Sequence, residues 1–179
     1  MTQDLHTWKL LFREKLFDRM KGLQPGEESA AKYSRGFQEL QASFSLVVSG
    51  TGLKISEAES YLMYVGSDRE TKTLKLRYYS VRFGMEDFYI FPVRLFQNRE
   101  LLRKYPGLIG RASLSISGRI DFMDEYRLYI VESAGQLRWV YRTVDKEDWY
   151  QAGNYAVVDT TVMQRMLEEN FLNSVKDPF

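Results

Sequence analysis

The chain has 179 residues, 27% of them charged and 15% aromatic, with a formal net charge of +1. That balance describes a folded soluble chain and disfavours both intrinsic disorder and a strongly basic nucleic-acid binder. There is no cysteine, and His6 is the single histidine. Disulfides, thiolate chemistry, Cys-ligated metals and, within one chain, a His-dependent triad or multi-His metal site are therefore excluded.

Leu5, Trp8, Leu11, Phe12, Leu16 and Met20 recur at helical spacing after Asp4. The pattern predicts an amphipathic helix over 5–21, ended by Gly22 and Pro25-Gly26. A second, shorter helix is expected over 27–34, with Glu27 and Glu28 in its first turn. Residues 1–35 thus read as an N-terminal helical segment packed on the main domain, which occupies 36–179.

Two segments share an unusual alternation. Leu40, Ala42, Phe44, Leu46 and Val48 alternate with Gln41, Ser43, Ser45, Val47 and Ser49. Ala112, Leu114 and Ile116 alternate with Ser113, Ser115 and Ser117. Period two predicts two strands with one face in a core. The serine faces suggest close approach by a helix, another subunit or a ligand. Ser43, Ser45, Ser113, Ser115 and Ser117 are the candidate residues of that close-approach face.

Three further strands are expected over 61–65, 71–83 and 88–96. Their short turns at 66–69 and 84–87 make them antiparallel neighbours. Pro92 inside the third marks an edge or a bulge, because proline cannot donate to the ladder. A short mid-chain helix follows over 98–104, then strands over 112–122, 126–132 and 136–144, with Ala134-Gly135 as a tight turn. Residues 145–154 form a polar connection containing Trp149 and Tyr150, and a closing helix runs over 160–173 after Asp159. The class is α+β: an antiparallel curled sheet or partly closed barrel of about seven strands with helices at both termini and one mid-chain. Seven strands followed by a helix resembles the order in pleckstrin-homology-like barrels.

Chemistry-bearing motifs are sparse. The neighbouring carboxylates Glu57/Glu59, Glu86/Asp87, Asp124/Glu125 and Asp145/Glu147/Asp148 fall in predicted turns or loops, where acids are solvated. No phosphate-loop pattern and no dinucleotide fingerprint occurs. Ser115 and Gly118 fit two positions of the PilZ strand motif. Ser113 stands where that motif needs Asp or Asn, and Arg99 and Arg103 fall in a predicted helix, so membership is not assigned.

A basic-aromatic constellation remains. Lys75, Arg77 and Tyr79 share one strand face, while Arg138 and Arg142 flank Trp139 on the last long strand. Such surfaces hold anionic groups or anchor protein partners. Charge is unevenly spread, with a balance of +3 over 36–111 (eleven basic, eight acidic) and −4 over 145–179 (three basic, seven acidic). The expectation is a non-enzymatic interaction protein: an adaptor, assembly factor or self-associating structural component, without cofactor or metal. It would dock a protein, a second copy or a small anionic ligand through Lys75, Arg77, Tyr79, Arg138, Trp139 and Arg142. A lipocalin-like ligand barrel and an enzyme using carboxylates with Tyr and Arg are the alternatives. No stretch reaches membrane-span length and residues 1–11 lack the apolar core of a leader, so a cytoplasmic location is expected.

Overall fold

A computed structural model describes residues 4–20, 26–96, 103–117, 126–151 and 153–175. The described elements are α1 (Leu5–Met20), α2 (Glu27–Val48), β1 (Lys54–Val65), β2 (Thr71–Phe83), β3 (Glu86–Leu95), β4 (Leu108–Ser117), β5 (Tyr126–Ser133), β6 (Gln136–Arg142), β7 (Tyr155–Val157) and α3 (Thr160–Val175). All seven strands form one antiparallel sheet in sequence order, and the sheet is not closed. The α+β class and both terminal helices stand as expected. Of the mid-chain helix, Arg103 and Lys104 lie among the described residues and are helical. No helix among the described residues is long and apolar enough to cross a membrane.

One predicted strand is a helix. Residues 40–48 complete α2, a 22-residue helix that also runs through the expected 35/36 segment boundary. Tyr33, Phe37, Leu40, Gln41, Phe44 and Val48 form its buried stripe, at separations of three and four. Strand pairing would have buried Leu46, which is instead 70% exposed. Ser43 and Ser45 therefore sit on the flank of a helix, half-buried, and belong to no strand face.

The stripe of α2 lies on one face of the sheet. Tyr33, Phe37 and Phe44 are wholly buried among Val81, Phe88, Ile90, Leu114, Leu128 and Ile130, with Met163 and Met166 of α3 completing the cluster. Burial of each large ring contributes on the order of 1.5–3 kcal/mol. Two glycines make the approach possible. A Cβ on Gly36 would overlap Ile130, and one on Gly110 would stand 2.6 Å from both the Arg94 carbonyl oxygen and the Tyr33 ring. The opposite face carries a smaller cluster of Leu108, Tyr129, Val140 and Trp149, edged by Phe96 and Tyr105. The polar connection thus folds back so that the Trp149 ring packs on Tyr129, centroids 4.4 Å apart, and it supplies the short strand β7 that sequence alone did not reveal.

The ladder is irregular in several places, one of them a register shift between Leu108 and Gly110. Register shifts between Pro92 and Arg94, the bulge that proline foretold. More consequentially, β1 and β2 pair over twelve residues while β2 and β3 pair only from Ser80 to Phe83. The β1–β2 ribbon therefore departs from β3 beyond the Ser80–Tyr89 pair. Gln41 enters the gap from α2: its Nε2 donates to the Ile90 carbonyl, and its Oε1 accepts from the Tyr79 N–H, both at 2.9 Å. By the register, Tyr79 and Ile90 are the next pair of the ladder, so one buried amide stands in for the direct strand contact.

Candidate functional site

The departure of the ribbon opens a groove of about 420 Å³ between α2 and the β1–β2 hairpin. Phe37, Gln38, Gln41 and Ala42 form the helical wall; Glu57, Lys75, Leu76, Arg77 and Tyr79 form the ribbon wall. The sequence-predicted trio Lys75, Arg77 and Tyr79 is therefore brought to one cleft. The helical wall was not foreseen, because its residues were read as strand. The signal was available: Gln41 falls on the same helical stripe as Phe37 and Phe44.

Charge in the groove is balanced. Lys75 Nζ lies 3.0 Å from Glu59 Oε1, and Glu59 also accepts from the Tyr61 hydroxyl at 3.2 Å. The Lys75 hydrogen bond holds the Glu59 carboxyl below its usual range. Arg77 lies opposite Glu59 and Glu57 opposite Tyr79 in the register. A guanidinium and a carboxylate thus remain side by side, a pairing that favours a polar or zwitterionic occupant over a simple anion.

The second predicted group does not join the first. Arg138 is exposed and donates to Gln136 Oε1 at 2.9 Å; Arg142 Nη2 pairs with Asp145 Oδ1 at 2.6 Å. Trp139, between them, turns to the opposite face and is buried in the main core. Its indole N–H donates to the Gly36 carbonyl at 2.8 Å. Trp139 thus has a packing role, consistent with edge contacts to the Tyr33 and Phe37 rings.

On β4, Ser113 and Ser115 are buried on the face opposite α2. The register places Phe91 opposite Ser113 and Tyr89 opposite Ser115, so large rings on β3 neighbour the small residues. Tyr78 meets both rings, at 5.9 Å from Tyr89 and 5.5 Å from Phe91. The Ser117 side chain lies outside the described residues.

Further exposed apolar surface lies on α1. Every described side chain of α1 is exposed, so the packing of this helix on the main domain has no buried side chain to carry it. Leu5, Trp8, Leu10, Leu11, Phe12 and Leu16 are between 42 and 63% exposed. The Trp8 and Phe12 rings stack with centroids 5.0 Å apart.

Other perturbed groups belong to surface ion pairs or the core. Asp68 is lowered by the Glu70 backbone N–H and then by Lys72, whose own pKa rises through Asp68. Lys32 is raised by hydrogen bonds to Glu132 and Glu28, tying α2 to β5, and Arg82 is raised by its two-point contact with Asp87. Burial pushes the Tyr33 phenol well above its ordinary value. No protein-family model, curated protein or solved structure matches the chain.

Proposed function

We propose that the protein is a non-enzymatic, self-associating component whose sheet and α2 form a scaffold and whose α1 docks a second copy of the chain. The observation that carries this reading is the exposure of six large apolar side chains on one helix that no other described element covers. Exposed large apolar side chains in this number mark an interaction site. Leu5, Trp8, Phe12 and Leu16, spaced by three and four, make a single stripe of the coiled-coil type.

The flanks of the stripe favour a copy in parallel. Lys9 and Arg13 lie along one side, whereas Asp4 and Asp18, with Leu11 and Lys15, lie along the other. In a parallel pair each basic flank meets the partner's flank bearing Asp4 and Asp18; an antiparallel pair sets Lys9 and Arg13 against themselves. Light scattering tests this directly. The expected mass is twice the 21.1 kDa of the chain, falling to the single-chain mass in a Trp8→Glu/Phe12→Glu double variant with an unchanged melting curve. A wild-type protein at the single-chain mass, or a double variant that keeps the wild-type mass, contradicts it.

A second reading, ligand binding, rests on the groove, whose volume falls in the range of small-molecule sites. Arg77 and Glu57 suit a ligand bearing both a carboxylate and an amine. A thermal-shift screen of free amino acids and dipeptides, repeated on Arg77→Ala, decides it: no stabilisation, or equal stabilisation of the variant, removes this reading.

A further inference from the structure

We propose that Arg94, Arg111 and Arg127 form a binding site for a phosphate group on the sheet face opposite α2. This site is independent of α1 and of the groove. Its geometry follows from the register. Arg94 on β3 lies directly opposite Arg111 on β4, and Arg127 on β5 lies opposite Ser113, one position along the same face from Arg111. Ala112, Leu114, Leu128 and Leu95, which alternate with these positions, are buried in the main core, so the three arginines share the other face.

Like charges directly opposite on neighbouring strands are unfavourable. Here three meet on adjacent strands, and none of them makes an ion pair among the described residues. The Arg111 Nε is moreover buried with no hydrogen-bond acceptor among the described residues, a costly state for a charged donor. On the same face Arg82 is paired with Asp87 and Arg142 with Asp145, while Arg138 donates to the neutral Gln136. An oxyanion placed between the three guanidiniums would relieve the repulsion.

The chemistry selects phosphate in particular. A dianion with several oxygens can accept from more than one planar guanidinium at once, which a single carboxylate does less completely. Phe91 stands opposite Ser113, and Phe96 stacks on Tyr129, centroids 6.4 Å apart, beside the arginines. These rings provide an apolar wall suited to the organic part of a phosphate monoester. The shared chemistry is the phosphate dianion, whether free or esterified.

Isothermal titration of the full chain with inorganic phosphate, and separately with adenosine monophosphate, at constant ionic strength against a chloride control tests the site. Saturable binding is expected for at least one of the two. Binding to both with tighter monophosphate assigns an ester, and tighter inorganic phosphate assigns the free ion. Arg94→Gln and Arg127→Gln, both at exposed positions, are expected to weaken binding by about tenfold or more, whereas Lys54→Gln, exposed on β1, leaves it unchanged. Without ligand the Arg94→Gln protein should melt no lower than wild type, because a repulsion has been removed. Absence of saturable binding to both probes, wild-type affinity in Arg94→Gln and Arg127→Gln, or equal loss in Lys54→Gln, overturns the proposal.

Discussion

The backbone N–H of Tyr79 donates to the side-chain oxygen of Gln41 at the point where β2 and β3 part. The same amide donates to the Ile90 carbonyl, so one helical side chain takes the place of a strand pair and holds open the groove beside it. Gln41 is 3% exposed, and neither bond has water as a ready substitute.

Replacing Gln41 with leucine preserves size but strands the Tyr79 N–H and the Ile90 carbonyl. Each buried group left unsatisfied costs about 1–3 kcal/mol. Urea denaturation of Gln41→Leu is expected to show a loss of at least about 2 kcal/mol. A loss below about 0.5 kcal/mol, the scale of ordinary surface substitutions, would mean that the ladder closes without the amide.

Trp139 and Arg138 are sequence neighbours with opposite expected effects. Trp139→Phe removes the bond to Gly36 and part of a buried ring, with an expected loss of about 1–3 kcal/mol. Arg138→Gln touches an exposed position and should stay within about 0.5 kcal/mol. Chemical denaturation of the pair checks the assignment; equal effects would undo the packing role given to Trp139.

Alkaline stability follows from Tyr33. Its phenol donates to the Arg111 carbonyl at 2.7 Å, and burial raises its folded pKa above the value it has unfolded. A raised folded pKa gives stability that is complete below the unfolded pKa, about 10 for tyrosine, and declines as pH rises beyond it. Lys32, also raised by its carboxylate partners, adds in the same direction. Guanidinium titrations from neutral to strongly alkaline pH should show falling stability, with a shallower fall in Tyr33→Phe. An unchanged slope in that variant would separate Tyr33 from the effect.

The hairpins and the closing helix were legible because their signals are local. Gly84 and Gly135 adopt positive φ in the turns that precede β3 and β6, and both turns were visible as Gly-containing breaks. The second half of α2 was not legible for a specific reason. Leu40, Phe44 and Val48 are four apart, a spacing that satisfies a period of two and, approximately, one of 3.6. Only Tyr33 and Phe37, upstream, break the tie toward helix. The groove inherited the same ambiguity, since half of its wall is α2. The arginine site was hidden differently: Arg94, Arg111 and Arg127 are far apart in sequence and meet only through register.

In the proposed dimer, α1 pairs with a parallel copy along the stripe of Leu5, Trp8, Phe12 and Leu16. Because the chain has no cysteine, a single introduced thiol reports this pairing without background. Under mild oxidation Phe12→Cys should form a disulfide-linked dimer, since like positions on the stripe face each other, and Leu10→Cys, off the stripe, should remain monomeric on a non-reducing gel. Failure of Phe12→Cys to cross-link, or equal cross-linking at both positions, contradicts the account.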